Sequence, residues 1–441
     1  MLFLLLRTYF AFWTHSTWSR YASLELDRQT YSFDYAVFDE IMRSIWQSGQ
    51  LYDGYDCRSQ FGEHFVPLYY LLAPVYYLFP NIKTFLTLRI IASVLAALLL
   101  GAAAWKRWHD APAVVCLIAS FLLYVPLEYP LIGYFNIEIF VVPALAGMLY
   151  FADLKQWFGM LVCLLLMLMV KENYYLTAGG FLVYAVLTGK LSWRHVALGL
   201  FVLATLFVIV ANWLIPSYNP FPVFPTWGDL YERWGVTTGS VIAAWLQQPG
   251  VALRQIAQNA DGVFWGALLL PVAGLPLLAP ELLPVWLPGI LVTHLSNNPA
   301  HRDIHYFYHC EFIPLVFWGI IIAAARLRAF CRRQTWACRV PRRLMLFLLG
   351  LTIIMQMHEG QLLNRMRVKQ PDMSDAVQVS HCLSIVPQSA TLRCSRSLFL
   401  HVPTPWREYF APLLLPAGPD YLLFYLTPEE RDTYEGLSML K

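Results

Sequence analysis

Apolar runs of about 20 residues, long enough to cross a hydrocarbon core, recur along this chain and decide what it can fold into. They lie at 84–104, 111–127, 134–151, 157–170, 174–189, 195–215, 262–279, 281–296, 306–325 and 343–357. A further stretch from the start to about Trp18 reads as a short first span. Arg7 interrupts it, and no small-x-small pattern of a cleaved leader follows. Eleven spans are therefore expected. Charged residues make up 13% of the 441 and hydrophobic residues 58%, whereas soluble domains carry about 25% charged residues. Too little polar surface remains to clothe a water-soluble globule, so lipid must be the solvent. The expected fold class is an all-α polytopic membrane protein. Its transmembrane domain covers 1–357, with a first outer loop at 19–83 and a long outer loop at 216–260. A small α/β appendage follows over 358–441, where LSIVPQSATLRCS and DYLLFYL read as short strands.

The net charge of +3 with no basic tail argues against a nucleic-acid partner. No P-loop or Rossmann glycine pattern is present, which argues against nucleotide-driven transport. The stretch 64–80 is apolar, but Pro67, Pro74 and Pro80 break it, and it is expected to re-enter or lie at the interface rather than span. Counting it as a span would also put Lys106 and Arg107 on the opposite side from the Arg-rich loop. With it left out, Lys106, Arg107, Lys155, Lys190 and Arg194 fall on one face. So does a loop holding Arg326, Arg328, Arg332, Arg333, Arg339, Arg342 and Arg343 with no acid. The positive-inside rule makes that face cytoplasmic, with the N-terminus inside and the tail outside. Of the cysteines, Cys57, Cys310, Cys382 and Cys394 then fall outside, where a Cys382–Cys394 bridge could form in an oxidising compartment.

The opposite face collects Asp34, Asp39, Glu63, His64, Glu128, Lys171, Glu172 and the histidine-rich stretch from His301 to His309. Lys171 and Glu172 stand between two apolar runs with almost no loop around them. Ionisable groups at that depth are expensive and usually face a polar interior. Asp34 is placed to cap a helix from Tyr35 to Gln47, whose Val37, Phe38, Ile41 and Ile45 are spaced for lying on the membrane. It is either a cap alone or a carboxylate at the lipid–water boundary able to take a proton from a hydroxyl. His64 either caps the Pro-broken segment or binds ligand. Arg89 either snorkels or meets an anion. Lys171 either joins a buried ion pair or serves as a point charge for phosphate. His301, His305 and His309, with Asp303 and Glu311, could also ligate a metal.

One ordered set of motifs runs over most of the chain. It comprises Phe33-Asp34-Tyr35-Ala36-Val37-Phe38-Asp39, then Gly62-Glu63-His64-Phe65-Val66-Pro67, then Lys171-Glu172-Asn173. Tyr308-His309 follows ahead of Pro314, and the tail carries Ile385-Val386-Pro387 and Asp420-Tyr421. This set resembles the uncharacterised bacterial membrane domain-of-unknown-function family 2079, within the GT-C glycosyltransferase-like superfamily. Departures are Ala36 for the family's usual Gly, Glu40 for Gln, and Glu63 and Asn173 for Asp. The missing carboxylate at Asn173 weakens a metal role for that loop.

The resemblance implies a GT-C-like bundle in a bacterial inner membrane and a polyprenyl-phosphate sugar donor. It implies transfer of the sugar to an acceptor hydroxyl on the extracytoplasmic face. By position it makes Asp34 the catalytic base and Asp39 a second carboxylate turned away from it. His64, Arg89, Lys171, Glu172 and His309 become substrate-binding, with a divalent metal (Mg or Mn) admissible but not required. A transporter or flippase of lipid-linked glycans, or a non-catalytic scaffold of the same fold, are the rival readings. Transport predicts an inverted repeat, and none is evident in the sequence.

Overall fold

The computed structural model describes residues 1–22, 32–53, 58–133, 136–218, 230–235, 238–331, 333–334 and 337–360. In the tail it describes 377, 381, 384, 392–394 and 421–423. The described chain is helical apart from two short strand pairs. The helices of the first half are α1 (Leu2–Ala22), α2 (Ser32–Ser48), α3 (Leu68–Leu78), α4 (Ile82–Trp108), α5 (Ala111–Leu122), α6 (Val125–Ile132), α7 (Val141–Leu154) and α8 (Trp157–Leu168). Then come α9 (Tyr174–Leu187), α10 (Trp193–Ile209, carried on through a π turn to Ser217), α11 (Thr238–Gln247) and α12 (Pro249–Gln258). The last are α13 (Gly262–Leu269), α14 (Leu283–His294), α15 (Phe312–Phe330) and α16 (Val340–His358). In the tail, Leu392–Cys394 pairs in parallel with Tyr421–Leu423. The partners of a Cys382–Cys394 bridge lie outside the described side chains.

Among the described residues, four helices are long and apolar enough to cross a membrane: Ile82–Trp108, Trp193–Ser217, Phe312–Phe330 and Ala337–His358. Helices α5 and α6, bent by 49°, make a fifth if taken as one broken span. Helix α1 has 21 residues but is not among them. The remaining expected spans are helices of 8 to 14 residues. The expected window at 262–279 ends its α-helix at Leu269, because Pro271 and Pro276 each lack an N–H. The window at 306–325 becomes a helix only from Phe312. Segment 64–80 forms the 11-residue α3 with Pro74 inside it. At 1.5 Å per residue α3 is about 16 Å long, roughly half a hydrocarbon core. It packs on α2, with Leu68, Tyr69, Leu72, Ala73 and Tyr76 buried.

Helix α4 is the central post. Ala92, Ala96, Ala97, Ala103 and Ala104 are buried along it, and their short side chains let α1, α5, α7 and α15 approach. Breaks in the neighbouring helices leave carbonyls without a helical partner, and side chains from other elements supply the donors. Gln356 donates to Leu123 O (2.8 Å), and the Tyr124 hydroxyl donates to Leu268 O (2.5 Å).

The basic loops meet at one end of the bundle. Asp153 binds both Arg107 and Lys190, Arg326 pairs with Glu281 at 2.9 Å, and Arg342 pairs with Asp110 at 3.2 Å. Lys106 donates to Asp153 O and Arg328 to Trp108 O. These contacts put the loops after α4, α7, α9 and α15 on the same face, as the arginine count requires.

Candidate active site

At the opposite end, short helices make room for a polar layer. Helix α8 stops at Leu168, and α9 starts at Tyr174 with 14 residues. Helix α10 packs against α9, leaves from the same basic end and runs 25 residues. The turn holding Lys171, Glu172 and Asn173 thus lies about 16 Å short of the far end of α10. Irregular backbone at such depth is tolerated only where protein covers it. Here the Leu68 N–H donates to Met169 O, tying the start of α3 to this turn.

Glu172 is 1% exposed, yet it carries a full set of partners. It accepts from the Phe65 N–H at 3.1 Å and pairs with His64 Nδ1 at 3.0 Å. Burial alone would raise its pKa, but the His64 and Lys171 charges and the His64 hydrogen bond win and hold it at about 2. Lys171 Nζ donates to Glu138 Oε1 at 3.2 Å and stands 5.9 Å from the centre of the Tyr308 ring. Burial works to lower the ammonium pKa, and the Glu138 and Glu172 carboxylates outweigh it, so the net direction is upward. Lys171, Glu172 and His64 are thus brought together. The Lys171 contact is the ion-pair alternative, with Glu138 as partner.

Glu138 was not singled out from sequence, and Glu311 was read only as a candidate metal ligand beside the 301–309 histidines. Both are lone acids inside windows read as spans, and an isolated carboxylate in such a window is the signal that finds them. Glu138 sits in a 3-10 turn before α7. Glu311 stands just before α15 without a side-chain capping bond, is 2% exposed and accepts from the Thr177 hydroxyl. Burial lifts its carboxyl to about 7 despite that bond. Gly289 leaves it room, since a Cβ there would stand 2.4 Å from Glu311 Oε1.

Helix α2 buries Tyr35, Phe38, Asp39, Glu40, Ile41 and Met42 against protein, which corrects the expected lipid-facing stripe. Phe38 packs on Phe85 of α4 and on Tyr69 and Tyr76 of α3. Asp39, 3% exposed, binds Arg43 Nε at 2.9 Å and accepts from the Tyr76 hydroxyl, clamping α2 to α3. The side chain of Asp34 lies outside the described residues, although its helix is described. Arg89 is fully buried rather than snorkelling, and donates to the Tyr35 hydroxyl and to Pro130 O.

The histidines of 301–309 part company. His309 is fully buried, and its Nε2 donates to Pro126 O at 2.6 Å. Pro130 explains this bond. It has no N–H to return to the carbonyl four residues earlier, and His309 fills the vacancy. Exposed His305 pairs with Asp303 at 2.6 Å. His301 is 5% exposed and lies beside the Tyr308 ring. Among the described residues no group of three or more His, Cys, Asp and Glu is placed to hold a metal ion.

A family model described as Predicted membrane protein (DUF2079) matches residues 25–416. Among solved structures, ArnT from Cupriavidus metallidurans, bound to undecaprenyl phosphate, is similar at 15% identity over 99% of this chain and 87% of that one. The TM-score is 0.49, too low to decide fold or reaction. No curated protein matches.

Proposed function

The chain belongs to the Predicted membrane protein (DUF2079) family, and on that footing we propose that it is a membrane glycosyltransferase. It would move a sugar from a polyprenyl-phosphate donor to an acceptor hydroxyl on the extracytoplasmic face. The observation that carries this reading is the recessed cluster of Lys171, Glu138, Glu172 and His64, on the face away from the arginine loops. Ionisable groups gathered at the end of short apolar helices are costly to bury and point to a functional site.

In this reading Asp34 takes the proton of the acceptor hydroxyl. The acceptor oxygen attacks the anomeric carbon, the bond from that carbon to the phosphate oxygen breaks, and lipid phosphate leaves with the electron pair. The configuration inverts and the proton stays on Asp34. Lys171, partly exposed beside Tyr308, offers charge to the leaving phosphate, and Glu138 keeps it protonated and aimed. Arg89, committed to Tyr35, positions the helix that carries Asp34.

Purified protein in nanodiscs, given undecaprenyl-phosphate-linked hexoses and an alcohol acceptor, should release undecaprenyl phosphate. Asp34→Asn should lower that rate at least a hundredfold, the scale of general-base catalysis, with an unchanged melting midpoint. Full activity in this variant would remove Asp34 from the mechanism. Translocation of the lipid-linked sugar without cleavage would favour the flippase reading instead.

A further inference from the structure

His301, beside the polar layer, carries an unused hydrogen-bonding atom. Its ring bonds the backbone of Val292, while Nδ1 is buried and has no partner among the described residues. A ring nitrogen facing a backbone carbonyl must carry the proton, so Nδ1 holds a lone pair and can only accept. The Lys171 and Arg302 charges oppose a second proton. A phosphate oxygen, itself an acceptor, has nothing to gain there. A hydroxyl does.

The surroundings fit a sugar. The half-buried Tyr308 ring lies 4.1 Å from the imidazole, centre to centre, and gives an apolar face against which a pyranose can pack. Lys171 Nζ stands 5.9 Å from the centre of the same ring. We propose that His301, Tyr308 and Lys171 form a monosaccharide subsite, in which His301 Nδ1 accepts a hydrogen bond from a ring hydroxyl of the donor sugar. This rests on the glycosyltransferase reading and adds to it the residue that distinguishes a glycosylated lipid from a bare one.

The test compares binding of undecaprenyl phosphate with that of undecaprenyl-phosphate-linked glucose, galactose and mannose to nanodisc-embedded protein. Two variants separate the two edges of the imidazole. His301→Gln can reach the Val292 carbonyl but offers no acceptor where Nδ1 stood. His301→Asn places an acceptor near Nδ1 and gives up Val292. Wild type should prefer at least one glycosylated lipid. His301→Gln should lose about three- to tenfold of that preference, His301→Asn should keep most of it, and affinity for the bare lipid should stay constant. A wild-type preference that survives in His301→Gln overturns the subsite while leaving the transferase reading intact. No wild-type preference for any of the three sugars overturns both.

Discussion

At the residue scale, several buried polar side chains repair backbone that the helices leave unsatisfied. His309 is the clearest case. Pro130 removes the N–H that Pro126 O would have received, and His309 supplies one at 2.6 Å. His309→Ala should therefore destabilise the protein by about 1–3 kcal/mol, the penalty of a buried orphan acceptor. Adding Pro130→Ala, which restores the N–H, should recover much of that loss. Thermal unfolding in detergent checks both, and an additive double variant would rule the explanation out.

Acidification separates two other groups that lie outside the spanning helices. Burial, Lys171 and Arg302 hold His301 at about 3, below the ordinary 6.5, against the opposing Val292 bond; His64 also faces it. The unfolded chain then takes the proton first, so this contribution is full above pH 6.5 and is lost as pH falls toward 3. Burial holds Glu311 at about 7 against an ordinary 4.5, with Thr177 opposing. Its contribution is full below 4.5 and is lost as pH rises through 7. Between about pH 7 and 5 the two oppose each other. Relative to wild type, His301→Gln should gain stability on acidification and Glu311→Gln should lose it, each by about 1 kcal/mol or more. Melting midpoints across that range read the sign, and parallel curves for the two variants would contradict it.

Lys171 and Glu172 were legible in the sequence because a charge pair between two apolar runs has no bland surface to occupy. Glu138, the partner of Lys171, was not. A hydropathy window averages over a single acid, and what reveals that acid is a cation arriving from another helix.

At the element scale, the three prolines of 64–80 led to the expectation that it re-enters or lies at the interface, and the segment forms the 11-residue α3, about half the length of a span. Helix ends elsewhere were less legible, since a Pro-rich apolar window such as 262–279 has the composition of a span without the hydrogen bonds of one. The amphipathic pattern of α2 was read correctly as a helix and wrongly as lipid-facing. Periodicity reports which side is buried and says nothing about what covers it. The short α3 makes a topological prediction. Cysteines at Glu63, Phe79 and His305 should react with an impermeant thiol reagent from one face, and a cysteine at Lys155 from the other. Labelling of the Glu63 and Phe79 positions from opposite faces would mean that 64–80 spans.

At the scale of the whole molecule, two charged layers cap an apolar middle, and they differ in depth. The basic layer closes near the ends of the long helices. The layer holding Lys171 is set inward by the shortness of α8 and α9. Helix α8 also turns Trp157, Phe158, Leu161, Val162 and Leu165 outward, so lipid must solvate a hydrophobic wall only about 18 Å tall. A bilayer of about 30 Å cannot meet that wall without deforming. The leaflet on the Lys171 side is expected to dip beside α8, bringing lipid headgroups down toward the cluster. The protein would then act on its membrane as well as in it, by making a local thin spot through which a lipid headgroup approaches without leaving the bilayer. Turnover should accordingly be faster in nanodiscs of 14-carbon than of 22-carbon acyl chains, where the dip costs more elastic energy. Equal rates in the two would show that the bilayer does not bend to the short helices, and that the substrate reaches Lys171 by another road.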